Sequence, residues 1–293
     1  MAKNGTKSLV RNAICLVLYL LPLFYVSQIL AVAIHEIFGH GLAALALGGS
    51  FDGCGMRWDG MGWAYASLPP RASTTANVLF LAAGVTATIS SGLVFLVLAY
   101  WLRNRVAVRL GLLVLAFSCL MEGIPYIFWN SYHPTPPGDI GRILALWCGD
   151  QAPQGSLPQL MLLIGSGIPF VAGTYLFCAL IFQGIEQVLN DGERLQPWAR
   201  FWILLLFLAM PGAASWFLFD WNQLAPGIGI LPCIAGAMSI VLSSAILYRF
   251  SLPLNRGLSN QMPTRWHLVA SWSLVFFVAV PSVLWFQNGV KWT

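Results

Sequence analysis

Residues 31–49 read AVAIHEIFGHGLAALALGG, and three of them, His35, Glu36 and His40, are ionisable in an otherwise small and apolar stretch. The stretch closes an apolar run at 12–47, which exceeds the roughly 20 residues that a helix needs to cross hydrocarbon. Ionisable groups inside such a run are costly to bury and are functional candidates by default. Two imidazoles flanking a carboxylate point to a metal site in which the rings bind the ion and the carboxylate activates water.

Around that stretch the chain has the composition of a membrane protein. Its 293 residues are 58% hydrophobic and 9% charged, and its mean hydropathy is +0.74, whereas about a quarter of a soluble chain is charged. Apolar runs near 12–47, 76–101, 108–129, 158–182, 199–219, 226–248 and 268–286 predict an all-α polytopic protein with about seven transmembrane helices. Pro22 can kink the first run or separate an interfacial opening stretch from the span proper. Lys3, Lys7 and Arg11 precede this run without a small-residue cleavage site, so it reads as a retained anchor.

The net charge of +5 has a topological reading. With the amino terminus in the cytoplasm, Lys3, Lys7, Arg11, Arg103, Arg105, Arg109, Arg194, Arg200, Arg249, Arg256 and Arg265 fall inside, and only Arg57, Arg71, Arg142 and Lys291 outside. That bias predicts a multi-pass protein of the cytoplasmic membrane with its carboxy terminus outside and the lipid bilayer as its surroundings. So few charges argue against nucleic acid as a partner. Six cysteines without a C-x-x-C pair exclude a cysteine zinc knuckle. The loop at 183–200, carrying Glu186, Asp191 and Glu193, divides a motif-rich front from a motif-poor back.

The histidine spacing is i, i+5. In a regular helix His35 and His40 stand about 140° apart around the axis, against about 40° for the usual i, i+4 pair. A π-bulge absorbs the extra residue and returns both rings to one face, and Gly39 eases that distortion. Two other readings stay open: Glu36 and His40, themselves i, i+4, ligate together, or the histidines only hydrogen-bond neighbouring helices.

A third ligand is offered by WNSYHPTPPGDIGRIL at 129–144, where Asp139 follows a proline-rich stretch and opens a short apolar helix. The alternative for Asp139 is a plain helix N-cap. The charge count puts Asp139 and the His35–His40 end of the first run at the same membrane face. Glu122, within the third span, is a candidate proton carrier, extra ligand or histidine partner. His133 is a substitute ligand, and His267 marks an interface.

Between the first two spans, GGSFDGCGMRWDGMGWAYASLPP at 48–70 places Asp59-Gly60 as the turn of a hairpin whose edge can hold an extended peptide. The competing reading makes Trp58, Trp63 and Tyr65 an interfacial aromatic belt. Cys54 and Cys148 fall on the same outer side, which allows a disulfide between the two motif-bearing loops.

Taken in order, HEIFGHGLAALALGG (35–49), LAAGVTATISSGLVFLVL (81–98) and PTPPGDIGRIL (134–144) resemble the three signatures of site-2 protease-like intramembrane zinc metallopeptidases. The resemblance spans about residues 28–148. It implies a three-helix metallopeptidase-like core within 1–150, with 151–293 as accessory helices and the 48–75 hairpin or loop outside the membrane. It also implies His35, His40 and Asp139 as ligands of Zn2+, Glu36 as catalytic base and proton shuttle, and Asn130 positioning the scissile carbonyl or its oxyanion. The chain departs from the family pattern by the inserted residue in the first motif, by Ile140 in place of a glycine, and by Asn130 lying one position farther from Pro134. The family's usual site lies toward the cytosol, while the charge count here turns it outward.

The resulting expectation is a membrane-embedded endopeptidase that cleaves a transmembrane or membrane-adjacent peptide. The alternatives are a catalytically inactive relative acting as a membrane subunit or chaperone, and a metal or proton transporter using His35, Glu36, His40 and Glu122. The scarcity of charge in the later spans weighs against transport. Substrate identity and oligomeric state are not encoded in these motifs.

Overall fold

The protein is described by a computed structural model at residues 2–57, 62–132, 138–149, 155–189 and 263–292, with isolated positions 196, 199, 201, 202, 242 and 246. The first apolar run is one continuous helical stretch made of α1 (Ala2–Ala33), a π-helical segment π1 (Ile34–Gly41) and α2 (Leu42–Ala46), with Pro22 inside α1. A hairpin of β1 (Ser50–Met56) and β2 (Gly62–Ser67) follows. Then come α3 (Thr74–Trp101), α4 (Val106–Tyr132), α5 (Asp139–Cys148), α6 (Leu157–Leu189), α7 (Arg265–Pro281), a second π segment π2 (Ser282–Phe286) and β3 (Val290–Lys291).

Among the described residues four helices are long and apolar enough to cross a membrane: Val10–Ala46, Thr74–Trp101, Val106–Tyr132 and Leu157–Leu189. They define an all-α membrane protein. Of the other predicted spans, 199–219 and 226–248 lie outside the described residues, and 268–286 is divided between α7 and π2. The outward-facing residues suit lipid: Leu93, Val94 and Val97 of α3, and Ile164, Ile168 and Val171 of α6, are exposed. An apolar surface this continuous would be a liability in water. The predicted loop at 183–200 begins later than expected, because α6 runs on to Leu189 and buries Glu186 in its last turns.

α4 is the central helix, and it packs against α1, α3 and α6. Its Leu110, Leu113, Val114, Ala116 and Phe117 are buried in one core with Leu16, Tyr19 and Leu20 of α1 and Phe177, Ile181 and Ile185 of α6. Polar ties hold this packing: Tyr19 Oη donates to Ala107 O at 2.7 Å, and Ser27 and Ser118 hydroxyls meet at 2.7 Å. At the end of the bundle where α4 begins, Arg109 is buried and donates to Gln183 Oε1 at 3.0 Å and Gln187 Oε1 at 3.4 Å. Buried charge persists in an apolar medium only with such partners.

The opposite end is organised by the hairpin. Strand order is β2-β1-β3, all antiparallel, so the chain at Val290–Lys291 returns to the strand that follows the first helical run. The described chain therefore ends at the opposite end of the bundle from the start of α1. The ladder shifts register between Phe51 and Gly53. Gly53, at φ +152°, lies so close to Val290 and Lys291 that a side chain there would collide with their backbone. The Asp59-Gly60 turn and Trp58 lie outside the described residues. Tyr65 packs against Lys291, whose ammonium stands 4.6 Å from its ring. α5 is amphipathic: Ile140, Ile143 and Leu144 bury against Leu81 and Val85 of α3. This contact sets where Asp139, its first residue, is held.

The disulfide considered between Cys54 and Cys148 is absent, because both are free thiols. Cys54 is buried in β1, while Cys148 Sγ lies 3.5 Å from Ser156 Oγ. Burial pushes the Cys54 thiol above its ordinary pKa, and the charge of Glu36 adds to this. Alkylation of the folded protein without reductant is expected to modify Cys148 and spare Cys54, with both labelled after denaturation. Mass spectrometry of a Cys54–Cys148 linked peptide would contradict this.

Candidate metal centre

The i, i+5 spacing is resolved by the backbone. Residues Ile34–Gly41 form a π-helix, which places His35 and His40 on one side with ring centroids 5.1 Å apart. Widening the helix brings its backbone close to α3, and the crossing is possible because glycine faces glycine. A side chain on Gly39 would collide with the Gly84 backbone, and one on Gly84 would collide with the His35 ring. The second apolar span thus contributes an absence of side chain, and the imidazole fills that space.

Asp139 completes the group. Its Oδ2 lies 3.2 Å from His40 Nε2 and 3.5 Å from His35 Nε2. One ligand atom from each residue falls within 4.8 Å of the others. The N-cap alternative is not what the helix uses: Gly138 holds the cap position, and Asp139 is the first helical residue with its side chain turned to the histidines. His40 Nδ1 lies 3.0 Å from Phe80 O, which can only accept, so this nitrogen carries the proton and donates. In a neutral ring the Nε2 lone pair then faces a carboxylate oxygen. Two acceptors so close call for a cation between them.

Zinc suits that requirement. Two ligands about 2.0–2.1 Å from a tetrahedral zinc ion are about 3.3 Å apart, close to both observed His–Asp separations. Burial alone would raise the Asp139 carboxyl, but the adjoining His35 and His40 rings outweigh it and hold the group well below the usual carboxylate range. Asp139 is thereby held in the charged form that binding a cation would require.

Glu36 does not point into the trio. It lies half-buried beneath the start of β2, where Gly62 sits against its Cγ and the Ala64 backbone hydrogen-bonds to it. Among the described residues the ligand atoms that group together are those of His35, His40 and Asp139, without Glu36. Asn130 lies at the end of α4 against Gly138, immediately before Asp139, and its Nδ2 donates to Tyr126 O at 3.0 Å. His133 lies outside the described residues. His267 stands apart at the start of α7, where Thr264 N donates to its Nδ1 at 3.0 Å.

Tyr126 is a site residue that sequence reasoning passed over. Its hydroxyl donates to Asp139 Oδ2 and accepts from Asp139 N, both at 3.2 Å, and its ring meets that of His35 at 5.4 Å. A signal existed: Glu122, Tyr126 and Asn130 recur at i, i+4 and i+8, a polar stripe on one face of an apolar span.

Residues 9–126 match the family model described as Peptidase M50B-like. The match supports membership of the site-2 protease-like family, as the motifs predict. It takes in the histidine-bearing helix, the hairpin, α3 and most of α4, and it stops short of Asp139. No curated protein and no solved structure matches significantly.

Tyr126→Phe removes both hydroxyl bonds to Asp139 while keeping the ring. It is expected to weaken divalent-metal binding by about 1 kcal/mol, roughly fivefold in Kd, in competition titration against a chromophoric chelator.

Proposed function

We propose that this protein is a zinc-dependent endopeptidase embedded in the membrane, cleaving a transmembrane or membrane-adjacent peptide. The observation that carries the reading is the convergence of His35, His40 and Asp139 beside a carboxylate, Glu36, that is not itself part of the ligand group. A purely structural metal site is closed by its protein ligands, whereas three ligands leave a position open. The family match supports the peptidase reading.

His35, His40 and Asp139 would hold the ion. When bound there, zinc would supply Lewis acidity for the scissile carbonyl and would acidify water. Glu36 takes a proton from the attacking water at its carboxylate and delivers it to the leaving amine. Asn130 turns its amide toward the carbonyl oxygen as negative charge develops there. The substrate must arrive extended, because a helix keeps its amides in internal hydrogen bonds. The outer edge of β2, passing over Glu36, has no partner strand among the described residues and offers a strand for that purpose, β1 being already engaged on its other side by β3.

In this reading residues 1–150 form the peptidase core and 151–293 the accessory helices. The core is braced from behind, since Trp272 of α7 donates from Nε1 to Leu18 O at 3.0 Å. We keep the charge-derived orientation, with the amino terminus in the cytoplasm. Arg103, Arg105 and Arg109 stand at one end of the bundle, and Arg57, Arg71, Arg142 and Lys291 at the end that carries the candidate site.

Purified protein is expected to bind about one zinc per chain. Glu36→Gln should abolish peptide cleavage, a fall of at least about 100-fold, consistent with a lost general base, while metal content by elemental analysis stays unchanged. Proteolysis surviving in Glu36→Gln would overturn the mechanism. Zinc lost on the same substitution would return Glu36 to the ligand set.

A further inference from the structure

The two histidines are not equally held. His40 has both ring nitrogens engaged, Nδ1 by Phe80 O and Nε2 by Asp139. His35 is 4% exposed, its Nε2 faces Asp139, and its Nδ1 is buried with no hydrogen-bond partner. A ligating imidazole almost always donates its second N–H to a carboxylate, carbonyl or water, which fixes the tautomer and the ring orientation. For His35 that acceptor is missing from the contacts.

A candidate acceptor is on α4. Glu122 sits one helical turn before Tyr126, on the same face, and the Tyr126 ring is edge-on to His35 at 5.4 Å. Gln28, two turns before His35 on the first helical run, donates from Nε2 to Glu122 Oε2 at 3.2 Å, which ties the carboxylate to the helix that carries the histidine. Among the described residues no hydrogen bond engages Oε1. A half-buried carboxylate in the middle of a span, tied by one amide to the helix whose buried imidazole nitrogen has no partner, has the chemistry to supply the acceptor that His35 needs.

We propose that Glu122 is the positioning residue of His35, its carboxylate accepting the Nδ1–H so that Nε2 keeps its lone pair turned toward His40 and Asp139. Gln28 holds Glu122 in place for this. The assignment deepens the zinc reading of the site and rests on it. Glu122 neither ligates the ion nor touches the substrate; it acts through the ring it orients.

The test uses the full chain in detergent, with zinc affinity measured by chelator competition and geometry by the visible spectrum of the cobalt-substituted protein. Glu122→Ala is expected to weaken zinc binding by about 10- to 100-fold, the usual effect of losing such a partner, and to change the cobalt absorption. Glu122→Asp should recover part of the affinity. Thermal unfolding of the apoprotein should stay close to that of wild type. Gln28→Ala, which touches no ligand, should give a smaller weakening with the same spectral direction, and it serves if Glu122→Ala does not fold. Unchanged affinity and cobalt spectrum in a folded Glu122→Ala or Gln28→Ala protein would overturn the proposal while leaving the zinc site intact. A loss of apoprotein stability without a spectral change would also overturn it. A wild-type protein that binds no zinc would remove both this assignment and the reading beneath it.

Discussion

A helix that must carry two imidazoles five residues apart on one face has to be wider than an α-helix where it does so, and the rest of the site depends on that widening. The π-helical segment Ile34–Gly41 meets the requirement by inserting one extra residue per turn. Such a segment is less favourable than regular helix, so it persists only where neighbours hold it. Here the neighbour is α3, which approaches through Gly84 and leaves room for the Gly39 backbone and the His35 ring together. The same contact that allows the distortion orients the ligand.

The other half of the site is held by different physics. Asp139 is placed by the apolar face of α5 against α3, and then by two hydrogen bonds with the Tyr126 hydroxyl. A carboxylate among apolar helices would be costly if unpaired. Two imidazole nitrogens and a phenol surround it, so the acidic group and the basic ones justify one another's burial. α4 links everything. It forms the core on one side, and on the other it presents Glu122, Tyr126 and Asn130 at successive turns. At its far end Arg109 is satisfied by glutamines of α6, which keeps the two polar ends of the bundle separate.

This arrangement also sets Glu36 apart from the clustered histidines and aspartate. The His35, His40 and Asp139 group lies between helices, whereas Glu36 lies under the hairpin, against β2, whose outer edge has no partner strand among the described residues. β3 closes the opposite side of β1 and pins the hairpin through Trp292, which donates to Asp52 O and Phe51 O. Phe51 in turn packs on Gly41, next to His40. A sheet fastened in this way can position an extended chain over the carboxylate with little freedom of its own.

Much of this was legible in the residues themselves. Hydropathy identified a membrane protein because lipid demands long apolar helices, and the rarity of charge singled out His35, Glu36, His40 and Glu122. The i, i+5 spacing demanded a π distortion, because no regular helix puts those rings together. The hairpin was foreshadowed by its alternating aromatic and small residues. What could not be read was any partnership between distant segments. The grouping of His35 with His40 and Asp139, the contacts of Tyr126, the service of Gly84 as a space for an imidazole, and the free state of Cys54 and Cys148 all depend on how helices cross. Periodicity along one helix fixes which way a side chain points, but only packing between helices decides what it meets.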